Sequence, residues 1–302
     1  MRNIHERALP VPAATVGELL DRLGTPDDPL WPAPVWPPLR LDRPLSVGAD
    51  GGHGSVRYVV SDYQPGRRVQ FRFHAETGLE GFHTLEVEPL GATSCLLRHR
   101  LVARPRGRMR VLMPLVVRWM HDALLEDLLD NAERAVTATV ACPRRHSPWV
   151  RLLLWMSAPP ARAGALPASA TLLSGSLPEV DYSDAYSIVV PAGVSADPQA
   201  WAAALVSGLP RRAAPGPQLA ENDSEVLLGA DEKQLSYRAS VIVAAGTDRH
   251  VVTLGTVVRL HSVTGRAYFA VVRRVHPLLV RFLLRRAAVR MTSSPRVLSV
   301  VE

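Results

Sequence analysis

Two long apolar-periodic stretches, each directly after a run of strand-like alternation, constrain this chain most. The first runs from Gly107 to about Val140 and the second over residues 265–290. A helix of that length is stable in water only when one stripe of it is buried, and the strands preceding it are the surface on offer. The two endings also resemble one another. Leu96-Leu-Arg-His, Gly107 and Val116-Val-Arg-Trp-Met-His121-Asp-Ala-Leu correspond to Val257-Val-Arg-Leu, Gly265 and Val271-Val-Arg-Arg-Val-His276-Pro-Leu-Leu. This weak self-similarity favours two copies of one plan over two unrelated domains.

The rest of the chain fits that reading. In the first half, residues 3–10 read as a strand and 13–23 as a short helix with Val16, Leu19, Leu20 and Leu23 on one side. A proline-broken loop containing Trp31 and Trp36 follows, then strands and turns from Arg40 to Arg104, then the long helix with a bend at Pro114. The second half reads as a strand over 180–190, a helix over 197–206 and a Pro/Gly/Arg-rich loop over 208–217. Strands near 225–229, 234–245 and 249–261 and a helix over 265–290 complete it. The 302 residues are about twice an average domain, and Cys142-Pro-Arg-Arg-His-Ser-Pro148 is the expected boundary. The expected division is 1–142 and 143–302, in an α+β class with each half an antiparallel sheet wrapped around a long C-terminal helix.

Composition narrows the function classes. Apolar residues make up 47% and charged residues 21%, which excludes a mostly disordered chain. The two cysteines, Cys95 and Cys142, cannot build a disulfide framework or a four-cysteine zinc site. A reducing, cytoplasmic setting is therefore expected. Residues 1–7 lack the apolar run of a signal peptide, and no apolar run approaches the length of a membrane span. The formal charge of +7 lies wholly in the second half: residues 1–142 hold 17 Lys+Arg against 17 Asp+Glu, and residues 143–302 hold 18 against 11. Without aromatic interleaving or a recognisable module, that excess does not point to nucleic acid.

Several first-half features carry a family resemblance: the opening strand and helix, Gly51-Gly-His53-Gly, Tyr63-Gln-Pro-Gly-Arg67-Arg, Gly81-Phe-His83, and the terminal His121-Asp-Ala-Leu-Leu-Glu126-Asp segment. Residues 3–140 resemble the START-like, SRPBCC-type helix-grip superfamily that includes polyketide cyclases and lipid-transfer proteins. The resemblance implies a hydrophobic cavity between sheet and helix, and it implies no single reaction, because catalysts and carriers share the fold. The second half resembles an uncharacterised bacterial domain family with a similar strand-and-helix ending.

Period-2 reading assigns the inner face independently of that resemblance. Val69, Phe71 and Phe73 face in, His83 is in phase with Leu85 and Val87, and His99 is in phase with Leu97 and Leu101. A hairpin whose turn centres on Leu90-Gly91-Ala92 sets His83 opposite His99 and Leu85 opposite Leu97. The connection near Gly78 sets Phe73 beside His83, and the Pro65-Gly66 turn sets Tyr58 beside Phe73. On the helix wheel His121 falls in the apolar stripe with Leu124, whereas Asp122, Glu126 and Glu133 fall on the side expected to face solvent.

His83, His99 and His121 are thus acid/base candidates, with Tyr58 donating to a substrate carbonyl or enolate. Trp31, Trp36, His53, Phe71, Phe73, Leu85, Leu97 and Leu124 are the expected lining, with the two tryptophans as a lid and His53 at the mouth. The leading reading is a cofactor-free cyclase or dehydratase acting on a polyketide-like metabolite. The competing reading is a non-catalytic lipid or metabolite carrier, in which His83 and His99 are merely a satisfied pair packed under His121. A three-histidine zinc site is disfavoured because no carboxylate is in phase, so neither metal nor cofactor is expected. Cys95 reads as inert packing. In the second half a hairpin about Gly246-Thr247 pairs Val243 with His250 and leaves a mainly aliphatic interior. Arg274, Arg281 and Arg285 share a stripe of the last helix, which suits an anionic lipid surface or an acidic carrier protein if it is not simply solvated.

Overall fold

The computed structural model describes residues 1–207, 209 and 216–293. They form two compact units, the first spanning Met1–Leu153 and the second beginning at Leu154, within a helix over Pro148–Ser157.

The first unit contains β1 (Arg2–Leu9), α1 (Ala13–Asp21), β2 (Arg40–Leu41), β3 (Asp50–His53), β4 (Val56–Gln64), β5 (Arg68–Phe73), β6 (Leu79–Gly91) and β7 (Ser94–Pro105). The strands pair antiparallel in the order β1-β7-β6-β5-β4-β3-β2, so the first strand of this unit lies beside its last. The long helical segment begins with α2 (Met109–Leu112), passes through a π-helical turn at Met113–Val117 and continues as α3 (Arg118–Thr137). Pro114 sits in that turn. Its missing N–H breaks the α-helical ladder, and the wider turn accommodates the break where a bend was expected. The segment ends at Ala138, which is left-handed (φ 62°) and donates its N–H to Arg134 O at 2.9 Å. Val60, Val69, Phe71, Leu85, Val87 and Leu97 of the sheet form one buried cluster with Leu128, Leu129 and Ala132 of α3. This is the expected helix-grip arrangement.

Strand pairing differs from the sequence expectation in register but not in face. Tyr58 does pair with Phe73, and a bulge follows between Val60 and Asp62. His83, however, pairs with Phe71 and Leu101, and His99 pairs with Leu85, each ladder being two residues from its expected register. The turns explain it. A 3-10 turn at Ala75–Thr77 closed by left-handed Gly78 joins β5 to β6, and the β6–β7 ladder runs on to Gly91 opposite Ser94 with a bulge at Pro89. A two-residue slip keeps every side chain on its own face.

Gly17 marks a close approach. A Cβ there would lie 2.2 Å from Gly66 O in the β4–β5 turn, a turn that Asp21 holds by accepting from Gly66 N–H at 2.7 Å and Tyr63 O–H at 2.9 Å. Gly17→Ala should therefore force α1 off the sheet and lower stability by about 2 kcal/mol. A denaturant midpoint unchanged from the parent chain would show that the turn can retreat.

The second unit contains β8 (Arg162–Gly164), β9 (Tyr182–Pro191), α5 (Pro198–Val206), β10 (Gln218–Asn222), β11 (Glu225–Asp231), β12 (Leu235–Ala244), β13 (Arg249–Leu260) and α6 (Val263–Ser293), preceded by α4 (Pro148–Ser157). Its antiparallel sheet has the order β10-β11-β12-β13-β9-β8. Ile188, Val226, Val241 and Val252 cluster with Trp201 of α5 and Leu284 and Ala287 of α6. Val243 pairs with Val252 rather than His250, again two residues from expectation, and His250 instead accepts from Gly246 N–H at 3.2 Å in the turn. Most of the loop expected over 208–217 lies outside the described residues. Among the described residues no helix is long and apolar enough to cross a membrane.

Candidate functional site

The inner face of the first sheet carries a file of aromatic rings. Trp31 lies over His53 at 4.8 Å between ring centroids, and His53 Nδ1 is 3.1 Å from the Tyr58 hydroxyl oxygen. Tyr58 meets His83 edge-on at 5.0 Å, and His83 stacks on Phe71 at 5.0 Å and Phe73 at 5.1 Å. Next, His83 Nδ1 is 3.2 Å from His99 Nε2, a diagonal contact that the two-residue slip still permits. His99 meets His121 of α3 at 5.2 Å, and His121 meets His5 of β1 at 6.2 Å. The structure thus brings together His53, Tyr58, His83, His99 and His121, and adds His5.

The two ends of the file differ electrostatically. Burial pushes His53 down to about 4 and holds His83 and His99 well below the ordinary imidazole value. Burial also lowers His121, against the opposing pull of Asp122. These rings are neutral at pH 7, and burial keeps the Tyr58 hydroxyl protonated. At the far end burial would lower His5 too, but hydrogen bonds to Asp122 and Glu126 outweigh it and raise this imidazole. Asp122 is held well below the usual carboxylate range, since contacts from His121, His5 and Asn3 outweigh its burial. His99 Nδ1, His121 Nδ1 and Asn3 Oδ1 are buried without a hydrogen-bond partner.

A pH dependence of stability follows. As pH falls below 6.5, the unfolded chain protonates its histidines while folded His53, held near 4, and His83 remain neutral. The stability associated with these two groups is complete above 6.5 and is lost as pH falls toward 4. His146, raised by its hydrogen bond to Asp127, acts oppositely: its contribution is present below 6.5 and lost as pH rises through its folded value. The expected net result is a falling midpoint between pH 6.5 and 4 that flattens in His53→Asn. An identical slope in the variant would contradict this assignment.

The acids of α3 do not face solvent as the helix wheel suggests. Asn3, His5 and Arg7 point from β1 toward α3 and meet them in turn. Asn3 Nδ2 donates to Asp122 Oδ1 at 2.8 Å, His5 Nδ1 lies 2.8 Å from Glu126 Oε1, and Arg7 donates to Asp130 at 2.9 Å and to Glu133. The strand that supplies this ladder becomes visible only when β1 is known to pair with β7, which sets His5 directly opposite His99. One sequence signal points there: Leu9 is in phase with Arg7, His5 and Asn3, matching acids spaced by three and four on the helix.

The remaining expected residues are placed as follows. Phe71, Leu85 and Leu97 are in the main core and Leu124 is buried on α3. Trp36 is no lid: it is 4% exposed, donates its Nε1–H to Asp127 at 2.7 Å and ties the proline loop to α3. Trp31 donates to Pro37 O at 2.9 Å and covers His53. Cys95 is fully buried, and burial pushes its thiol up. On the inner face, where the cavity was expected, the rings from Trp31 to His121 lie in mutual contact. A pocket of about 240 Å³ opens among Met1, Arg2, Asn3, Met113, Pro114 and Arg118, and Asn3 connects it to Asp122. In the second unit Arg281 and Arg285 each have a ring partner. Arg281 lies 5.2 Å over Tyr186, and Arg285 lies 4.3 Å over Trp155 while donating to Met156 O at 2.6 Å. Arg274 is exposed.

Comparisons with known proteins give the following. Residues 212–283, less than half of the chain, match the family described as a protein of unknown function (DUF2867). That span covers β10 to β13 and most of α6, the strand-and-helix ending for which a resemblance was expected. No curated protein matches the sequence. Among solved structures, truncated norcoclaurine synthase from Thalictrum flavum is similar at 14% identity with a TM-score of 0.37, over 45% of this chain and 93% of its own. The di-domain ARO/CYC protein BexL from the BE-7585A biosynthetic pathway is similar at 14% identity with a TM-score of 0.34, over 98% of this chain and 100% of its own. CalU16 from Micromonospora echinospora is similar at 15% identity with a TM-score of 0.34, over 51% of this chain and 82% of its own.

Proposed function

We propose that the first unit binds a small apolar, carbonyl-bearing molecule of polyketide-like character and catalyses its cyclisation or dehydration by imidazole acid/base chemistry. The observation that carries this reading is His99. It is 4% exposed, it sits between His83 and His121, and its Nδ1 and that of His121 are both buried without a partner. An unsatisfied buried group of this kind costs about 1–3 kcal/mol, a cost that a ligand oxygen would remove.

The roles follow from the electrostatics. A neutral imidazole in apolar surroundings can take a proton from carbon beside a carbonyl and return it to a departing hydroxyl. His99 and His83 share a hydrogen-bond path for that proton. Tyr58 stays protonated and, held by His53, is a donor for developing charge on oxygen. Phe71 and Phe73 supply apolar surface against the same rings.

A second reading, a carrier without chemistry, is favoured by the His83–His99 contact itself, in which the two rings satisfy one nitrogen of each other. Native mass spectrometry of the full chain purified from its own host tests what the two readings share. A small apolar molecule bound to the protein is the expected result. A chain carrying only polar solutes, or nothing, contradicts both.

A further inference from the structure

We infer that His5, His121 and Asp122 form a binding site for one divalent transition-metal ion, of which Zn(II) is the representative. The site unites β1 with the first turns of α3. His5 Nε2 lies 3.2 Å from Asp122 Oδ1, His121 Nδ1 lies 3.7 Å from the same oxygen, and the three candidate ligand atoms all lie within 4.8 Å of one another. Metal–nitrogen and metal–oxygen bonds of about 2.0–2.2 Å in a tetrahedral site put neighbouring ligand atoms about 3.3–3.6 Å apart. The two edges on Asp122 bracket that span, and only the His5–His121 edge must close.

The surroundings are those of a metal site as well as of an ion pair. Glu126 takes His5 Nδ1 at 2.8 Å, so a metal replacing the Nε2 proton, which in the metal-free chain hydrogen-bonds Asp122 at 3.2 Å, would find the ring already oriented, the carboxylate–histidine arrangement of metal-bound imidazoles. Asn3 holds Asp122 by donating to Oδ1 at 2.8 Å. His121 Nδ1 is buried without a hydrogen-bond partner, and a metal would satisfy it. Two imidazoles and one carboxylate suit Zn(II) and its neighbours in the first transition row rather than Mg(II) or Ca(II), which prefer all-oxygen sites. Three protein ligands leave a position for water or a substrate atom. The pocket of about 240 Å³ reaches Asn3 and gives an entry path. The ligand set differs from the three-histidine site disfavoured on sequence grounds: here the carboxylate is the helical neighbour of His121, and the second imidazole comes from the edge strand β1.

This inference goes beyond the acid/base reading and stands without it; an ion bound here would take His121 out of the acid/base set and leave His83 and His99. The test is Co(II) titration of the chelator-treated full chain, followed by visible absorption, with Zn(II) competition. The expected result is one Co(II) per chain, displaced by Zn(II). His121→Gln and Asp122→Asn should weaken binding by more than about 100-fold, and Glu126→Gln by about 10–100-fold. His146→Gln, which removes a histidine paired with Asp127 outside the triad, should leave it unchanged. X-ray absorption of the Zn(II)-loaded unmutated chain should show two imidazoles and a carboxylate, a readout that does not depend on any variant folding. Absence of saturable one-to-one binding, undiminished binding in Asp122→Asn, or an absorption spectrum with fewer than two imidazoles would overturn the inference. Metal binding is read without an organic ligand, so its outcome is separate from that of the captured-molecule experiment.

Discussion

Arg7→Ala is expected to lower the stability of the first unit by about 3 kcal/mol or more, the range for stripping one partner from a buried ion pair. Arg7 is the rung of the β1–α3 ladder that meets the most carboxylates. Its guanidinium reaches Asp130 at 2.9 Å, Glu133, and Glu126 at 3.7 Å, and the side chains of Asp130 and Glu133 are only 9% and 13% exposed. Removing it withdraws one shared cation from three carboxylates along one helix face, leaving Glu126 with His5, and Asp130 and Glu133 with the backbone N–H groups of Arg144 and Ala141. Arg98 is the comparison. It also touches acids, Glu6 at 2.8 Å and Glu88 at 2.6 Å, but these are largely exposed. Arg98→Ala should therefore cost no more than about 1 kcal/mol. Urea midpoints of the two variants measure the difference, and equal small losses would show that the ladder is solvated in practice.

The second large effect is on turnover. His99→Ala should lower the rate on the captured metabolite by about 10²–10⁴-fold, the contribution of a positioned acid or base. Affinity should change by no more than about fivefold, the worth of one net hydrogen bond of ~1 kcal/mol. The argument rests on position. His99 touches His83 on one side and His121 on the other, and it pairs across the ladder with both Leu85 and His5. His83→Ala should act in the same direction but more weakly, because His99 keeps its contact with His121. A drop in affinity that accounts for the whole loss of rate would place these rings in a binding wall instead.

What was legible in the sequence divides by physical cause. The inward phase of His83 and His99 survived an incorrect register, because period-2 alternation depends only on parity and both ladders slipped by two. The turn centres are not legible, because a 3-10 turn and a bulge lengthen connections without changing the pattern on either side. His5 was hidden because β1 inverts the usual alternation, with Ile4 exposed and Asn3, His5 and Arg7 facing α3. For the same reason the acids of α3 read as a solvated face: a helix wheel shows polarity but not the cationic strand that meets it. The short edge strands β8 and β10 have mostly exposed side chains and so carry no alternation to detect. Glu225 begins β11 looking like a surface residue, yet it is fully buried and accepts from the N–H groups of Leu172 and Leu173 at 2.7 and 3.0 Å, contacts between residues far apart in sequence.

The central claim is that the imidazole file does chemistry on a molecule the first unit binds. Its most direct test is to compare by mass the small molecule recovered from the unmutated chain with that recovered from His99→Ala, both expressed in the native host. Acid/base catalysis of dehydration predicts that the unmutated chain yields a molecule lighter by one water than the one retained by the variant. Cyclisation alone predicts an isomer of equal mass with different fragmentation; the same molecule by mass and by fragmentation from both chains would contradict catalysis and leave a carrier.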